Sequence, residues 1–233
     1  MSDQQPHLAM YLAGPMQAWG HASRYTRRTT LPYPTRSGLV GLIMAAMGAS
    51  REDSEVPATL SELHCDVFVF THSKYPQQTW TDYHTVGGGY DAKAERSSIP
   101  RKANNATPNT VLTSREYLAD AHFGALLSGD TDLLRRILDA LVNPVWGVWL
   151  GRKSCVPTMP VAQGIHATSE VAIKHLKNVA GENRSLTRII REVDTFEDGY
   201  DSLMDVPLNF KDRTFTLRRI AIEDQLLDSE EPE

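Results

Sequence analysis

Cysteine is nearly absent. The 233-residue chain holds only Cys65 and Cys155, far apart and outside any C-x-x-C pair. That scarcity excludes a disulfide-stapled scaffold and a thiolate metal knuckle, and it suits a reducing compartment. Long apolar runs are missing too: the longest, Leu39–Met47, is interrupted by Gly41 and falls short of a membrane span. The first residues, MSDQQPH, lack the basic-then-apolar layout of a secretion signal, so a cytoplasmic protein without membrane contact is expected. None of the eight histidines shows H-E-x-x-H or other ligand spacing, and no metal or cofactor is expected. GVWLGRKS (Gly147–Ser154) falls short of a phosphate-binding loop. Only three residues separate its glycines, and Arg152 stands before the lysine.

Positive charge is scarce only on average. The formal net charge is −5, but six acids fall within residues 221–233, leaving +1 on residues 1–220. That acidic end is expected to be a solvated, disordered tail. Elsewhere, bases collect in windows without acids. Gly20–Arg36 holds Arg24, Arg27, Arg28 and Arg36, with Tyr25 and Tyr33 among them. Arg96–Arg115 holds Arg96, Arg101, Lys102 and Arg115, and Gly151–Ser169 holds Arg152 and Lys153. Local patches of this kind matter more to phosphate binding than the total does.

The hydrophobic pattern predicts strand–helix–strand twice over. Leu8–Ala13 is an apolar strand, followed by a helix over Ser37–Met47 stopped by Gly48 and a strand over Leu63–Phe70. Arg115–Phe123 reads as the next strand. Asp130 caps a helix whose Leu133, Leu134, Ile137, Leu138 and Leu141 form one face, and Val145–Leu150 reads as a buried strand. The order fits an α+β, ferredoxin-like fold with two helices on one sheet face and the other free for ligands. The aromatic signature of RNA-recognition motifs is absent, so ordinary sheet-face stacking is not expected. Between the second and third core strands, Trp80–Ser114 is an insertion with strand-like ends and a Gly-, Asn- and Lys/Arg-rich middle, expected to be a protruding hairpin.

Several stretches together resemble one family. They are LAGPMQAWG (Leu12–Gly20), PTRSGLVGLIMAAMG (Pro34–Gly48), DYHTVGGG with TSREYLADAHF (Thr113–Phe123), WLGRKSCVPTMP (Trp149–Pro160) and DVPLNFKDRTFTLRRI (Asp205–Ile220). In this order they resemble the CasD family, the handle-binding subunits of type I-E CRISPR Cascade complexes. The resemblance implies a modified ferredoxin-like domain of the RAMP superfamily over residues 1–150, with a hairpin "thumb" at about 80–114. A smaller, mostly β part over 151–220 and the tail over 221–233 would follow. It implies a noncatalytic role in antiviral defence: gripping the 5′ handle of a CRISPR RNA and capping the Cascade backbone. The implied neighbours are a CasC backbone subunit and the large CasA subunit, with other Cascade subunits and target DNA reached indirectly. Type I-C relatives cut RNA, so the alternative is a precursor endoribonuclease using His84 as general acid or base with a nearby Lys or Tyr. A third possibility is an interaction subunit whose basic windows meet acidic proteins.

For gripping RNA, Arg24, Arg27, Arg28, Arg36, Arg101, Lys102, Arg152 and Lys153 are candidate phosphate contacts. Trp19, His21, Tyr83 and His84 are candidates for stacking on bases or hydrogen-bonding them, with Gln17 as a polar edge. Trp19 fits a core position as well. Ser37 is expected to cap its helix, whose remaining first-turn N–H groups, beside Arg36, suit a phosphate.

Overall fold

The computed structural model describes residues 5–21, 23, 26–86 and 111–225. Its centre is a seven-stranded antiparallel sheet built from β1 (His7–Ala13), β4 (His64–His72), β7 (His122–Ser128), β8 (Ala162–His166), β9 (Arg184–Val193), β10 (Asp201–Asn209) and β11 (Thr214–Asp224). The strand order is β10-β11-β9-β4-β7-β1-β8. A smaller sheet centres on β6 (Val111–Ala119). Along one edge β6 pairs with β5 (Gln78–Val86), and along the other with the short β2 (Met16–Gln17) and β3 (Arg27–Arg28). The molecule is therefore mixed α+β and dominated by sheet.

Helices α1 (Arg36–Met47) and α3 (Thr131–Val142) cover one face of the large sheet, with the short α2 (Glu55–Ser61) beside α1. Leu39, Val40, Ile43 and Met44 of α1 join Leu133, Leu134, Ile137 and Leu141 of α3 in the main core. Each such side chain contributes about 1.5–3 kcal/mol when fully removed from water. Asp130 caps α3 as its sequence predicts, accepting a hydrogen bond from the Leu133 N–H at 2.8 Å. Gly48 ends α1 in the left-handed conformation (φ 71), where a side chain would be strained.

The opposite sheet face is not open. Helix α4 (Ser169–Ala180) lies on it, packing Ala172, Leu176 and Ala180 against Ala9, Tyr11, Phe68 and Phe70. This explains why β1 buries every residue from Leu8 to Ala13 instead of alternating. The expected free ligand face is thus corrected: α4 occupies it over the central strands.

Two predicted strands also change. Arg115–Phe123 is divided by a turn at Asp120 (φ 44), so its first part belongs to β6 and its end to β7. Val145–Leu150 is not a strand. Following Pro144, the Val145 and Trp146 N–H groups donate to the Ala46 and Ala45 carbonyls at the end of α1. This leaves Trp146 48% exposed rather than buried. The place beside β1 goes to β8, from beyond residue 150. Strands β9 to β11 continue the same large sheet through the β4–β9 pairing. Residues 221–224 are the end of β11, where Glu223 and Asp224 pair with Arg191 and Arg188. The rest of the acidic stretch, from residue 226, lies outside the described residues.

Candidate nucleic-acid interface

The inserted hairpin supplies one wall of the site. Strands β5 and β6 pair from Gln78↔Ala119 to Val86↔Val111, which sets Trp80 opposite Tyr117, Asp82 opposite Arg115 and His84 opposite Thr113. Side chains alternate along a strand, so Trp80, Asp82 and His84 share one ribbon face with Tyr117 and Arg115. The Trp80 and Tyr117 rings stack, with centroids 5.0 Å apart and planes 20° apart.

The loop after α3 supplies the other wall. Leu150 is fully buried, and its carbonyl accepts from the Ala18 N–H at 3.1 Å. Gly151 (φ 95) then lets the backbone pass so close to Ala18 that a Cβ would lie 1.9 Å from its carbonyl oxygen. This turn delivers Arg152, whose guanidinium lies 4.5 Å from the Tyr117 ring centroid. Arg152 also donates to the Glu116 carbonyl at 2.8 Å and the Arg28 carbonyl at 3.1 Å. Both acceptors are neutral, so the fixed guanidinium keeps its charge uncompensated by them. Between the walls is an open cleft of about 630 Å³ lined, among the described residues, by Trp80, His84, Tyr117 and four cations, Arg51, Arg115, Arg152 and Lys153, against the single carboxylate of Asp82. Stacked rings beside excess positive charge suit a single-stranded nucleic acid: aromatic faces for bases, guanidinium and ammonium groups for phosphates.

The sequence candidates divide sharply. His84, Arg152 and Lys153 line the cleft. The His84 Nδ1 stands 3.6 Å from the Asp82 carboxylate. Tyr83 is turned to the other ribbon face and is 69% exposed. Arg27 and Arg28 lie at the hairpin base, where β3 runs parallel to β6. The Arg27 guanidinium is exposed, 3.6 Å from the Glu116 carboxylate, and Arg28 is half-buried. His21 is half-buried just before them, its carbonyl accepting from the Thr29 hydroxyl. Arg24, Arg101 and Lys102 lie outside the described residues, as do Tyr25 and Arg96.

Three candidates are corrected by burial. Gln17 is fully buried. Its amide donates to the Leu12 and Ala121 carbonyls and its oxygen accepts from the Trp19 indole N–H at 3.0 Å. Trp19 is fully buried too, its ring packed where a Cβ on Gly38 would collide. Arg36 is buried as well, donating to the Leu60 and Leu63 carbonyls. The start of α1 does hold an anion, but an internal one: the Asp205 carboxylate accepts from the Arg36 N–H at 2.7 Å. Thr35, not Ser37, caps the helix, accepting from the Gly38 N–H at 3.1 Å. Asp205 also accepts from the buried Arg218 at 2.7 and 3.0 Å. Burial alone would lower the Arg218 pKa, but the hydrogen bonds and charge of Asp205 outweigh it and hold the group above its ordinary value. Burial pushes both thiols up, Cys65 and Cys155 alike, which leaves them protonated and inert.

Sequence reasoning missed Trp80, Tyr117, Arg115 and Arg51 as site residues. A signal for the first three was present. The alternation W-T-D-Y-H against R-E-Y becomes a two-sided wall once the strands are paired in register. Among the described residues no group of three or more His, Cys, Asp or Glu suits a metal ion, and no helix is long and apolar enough to cross a membrane.

A sheet-dominated α+β chain with a hairpin over a cationic, aromatic cleft has the features of a single-strand-binding protein. Comparison with known proteins is more specific: the chain belongs to the family described as CRISPR-associated protein (Cas_Cas5), whose model matches residues 7–221. A relative from Escherichia coli (strain K12), "CRISPR system Cascade subunit CasD", is 34% identical over 173 residues, covering 70% of this chain and 73% of the relative. A solved structure titled "CRISPR RNA-guided surveillance complex" contains a similar chain, with a TM-score of 0.71 and 31% identity. That match covers 94% of this chain and 89% of the other. A second, "Crystal structure of Cas protein", matches with a TM-score of 0.65 and 28% identity over 94% of each chain.

Proposed function

We propose that the chain is a noncatalytic RNA-gripping subunit of a CRISPR surveillance complex, holding the 5′ handle of the CRISPR RNA against the hairpin base. The observation that carries this reading is the Trp80–Tyr117–Arg152 stack set among Arg51, Arg115 and Lys153. Such a wall favours unstacked bases and their phosphates over a duplex, whose bases are already stacked on each other. The family membership and the titles of the relatives support an assembly of this kind, with the implied CasC and CasA subunits as neighbours. The ferredoxin-like reading is supported by the order β4-β7-β1-β8 with α1 and α3 on one face, from which the β5–β6 hairpin projects as the thumb. The basic windows serve RNA in this reading because those that line the cleft stand beside aromatic rings.

Cleavage fits less well. Metal-free RNA hydrolysis needs an acid and a base on opposite sides of one phosphate. Tyr83, beside His84 in sequence, faces away from it across the ribbon, and the carboxylate near His84 belongs to Asp82 on its own strand. The test is binding and cleavage of the chain's own repeat RNA in metal-free buffer. Wild type is expected to retain the RNA uncut. Arg115→Ala is expected to weaken binding roughly tenfold, through loss of a charge-assisted contact. It should also lower the salt slope by about 0.7 for one lost phosphate contact. Site-specific cutting that His84→Ala abolishes would make the chain a ribonuclease instead.

A further inference from the structure

A second groove runs from the cleft along the outer face of α1. Its floor includes Gly38, Gly41 and Ala45; a Cβ on Gly41 would reach to 3.7 Å from the Phe210 ring, so a larger side chain there would fill the trough. Trp146 and Trp149 line it from the loop after α3, and Phe210 and Phe215 from the β10–β11 hairpin. The two phenylalanine rings meet edge to face, centroids 6.3 Å apart. The groove encloses about 590 Å³. Among the described residues its charged lining is Arg51, Lys153 and Arg213, with no carboxylate. Lys153 stands 5.7 Å over the Trp149 ring. Arg51, Gly151 and Lys153 line both the cleft and the groove, so the two are continuous.

We propose that this groove receives a nucleobase of the RNA strand that occupies the cleft, stacked on Trp146, with Lys153 and Arg51 holding the phosphates that pass between the two. The proposal rests on the RNA reading of the cleft and extends it to a second base site. Two observations select a nucleotide over a protein segment. The charge is of one sign, as a polyanion requires, and the groove opens directly into the cationic cleft, so one strand can occupy both. A flat apolar ring with an anionic linker matches wide aromatic walls over a floor of small residues. Ser37, no longer a helix cap, gains a place here on the groove lining.

The test uses the full chain and a fluorescein-labelled decauridylate, U10, with 5-iodouridine introduced at one position at a time. Irradiation is expected to join at least one position to Trp146 or Trp149, read by peptide mass spectrometry. Trp146→Ala is expected to weaken U10 binding on the order of tenfold with an unchanged salt slope, because a stacking contact is lost and no phosphate contact is. Trp146→Phe should restore most of the affinity. Trp146 is half-exposed, and an unshifted melting temperature shows that the fold is intact. Crosslinks confined to the β5–β6 hairpin, with wild-type affinity in Trp146→Ala, overturn the groove proposal. If Arg115→Ala still weakens binding in that case, the cleft reading survives; if it does not, both fall. Wild-type RNA affinity in Trp146→Ala combined with lost co-purification of other complex subunits makes the groove a protein interface, and also overturns the proposal.

Discussion

Asp205 serves both a helix start and a buried cation. Its carboxylate accepts from the first N–H of α1 and from the Nε and Nη2 of Arg218, while the Arg36 guanidinium is buried against the Leu60 and Leu63 carbonyls. The Arg36 Nε and the Arg218 Nη1 find no partner among the described residues, which leaves the site little polar capacity in reserve. Removing the carboxylate would leave the buried Arg218 guanidinium without its counter-ion and the Arg36 N–H without its acceptor. Asp205→Ala is therefore expected to cost about 3–5 kcal/mol, measured as a lower urea midpoint at unchanged slope. Asp205→Asn should cost less, because its amide oxygen still accepts one of the bonds. None of this was legible in the sequence around Arg36. A Thr-Arg-Ser-Gly helix start announces a need for an anion, but the carboxylate that meets it lies 169 positions away. Gln17 and Trp19 misled for a related reason: polar atoms that look available in sequence are consumed by each other and by carbonyls of distant strands.

The hairpin, α1, α3 and the central strands were readable because each carries its own period or cap. Val145–Leu150 was not, since its valines and tryptophans have strand composition while the Val145 and Trp146 N–H groups serve the end of a helix. Nor was β8, whose AQGIH has too little apolar character to declare itself. The cleft depends on such an unreadable element, the loop that carries Arg152 to Tyr117. Gly151 fixes that loop, and an alanine there would combine a left-handed backbone with a collision against the Ala18 carbonyl. Gly151→Ala is expected to destabilise the chain by about 2 kcal/mol or more. For a chain of this size that lowers Tm by roughly 4–8 °C in calorimetry. Because Arg152 moves with the loop, RNA affinity should fall as well, even in variants still folded at the assay temperature. Arg152→Lys, which keeps the charge but loses the two-carbonyl anchor and the flat contact with Tyr117, should weaken RNA binding without the same loss of Tm.

Across the whole molecule, a net charge of −5 coexists with a cleft of four cations and one carboxylate. The two facts act at different ranges. In the proposed RNA-gripping role, contacts inside the cleft set how long RNA stays, whereas the summed charge sets how fast a polyanion arrives. Residues 226–233 contain Asp228, Glu230, Glu231 and Glu233, and their removal would bring the formal charge from −5 to −1. Glu223 and Asp224 should remain, because they pair with Arg191 and Arg188 on β9. A chain ending at Gln225 is expected to associate with single-stranded RNA severalfold faster at low ionic strength. Its dissociation rate should be little changed, because no cleft contact is altered. The gain should vanish in about 0.5 M salt, where screening shortens electrostatic reach to a few ångströms. Stopped-flow mixing with fluorescein-labelled U10 at two salt concentrations measures both rates. A faster association that persists at high salt would instead mean that the acidic residues occupy the cleft directly and compete with RNA for its cations.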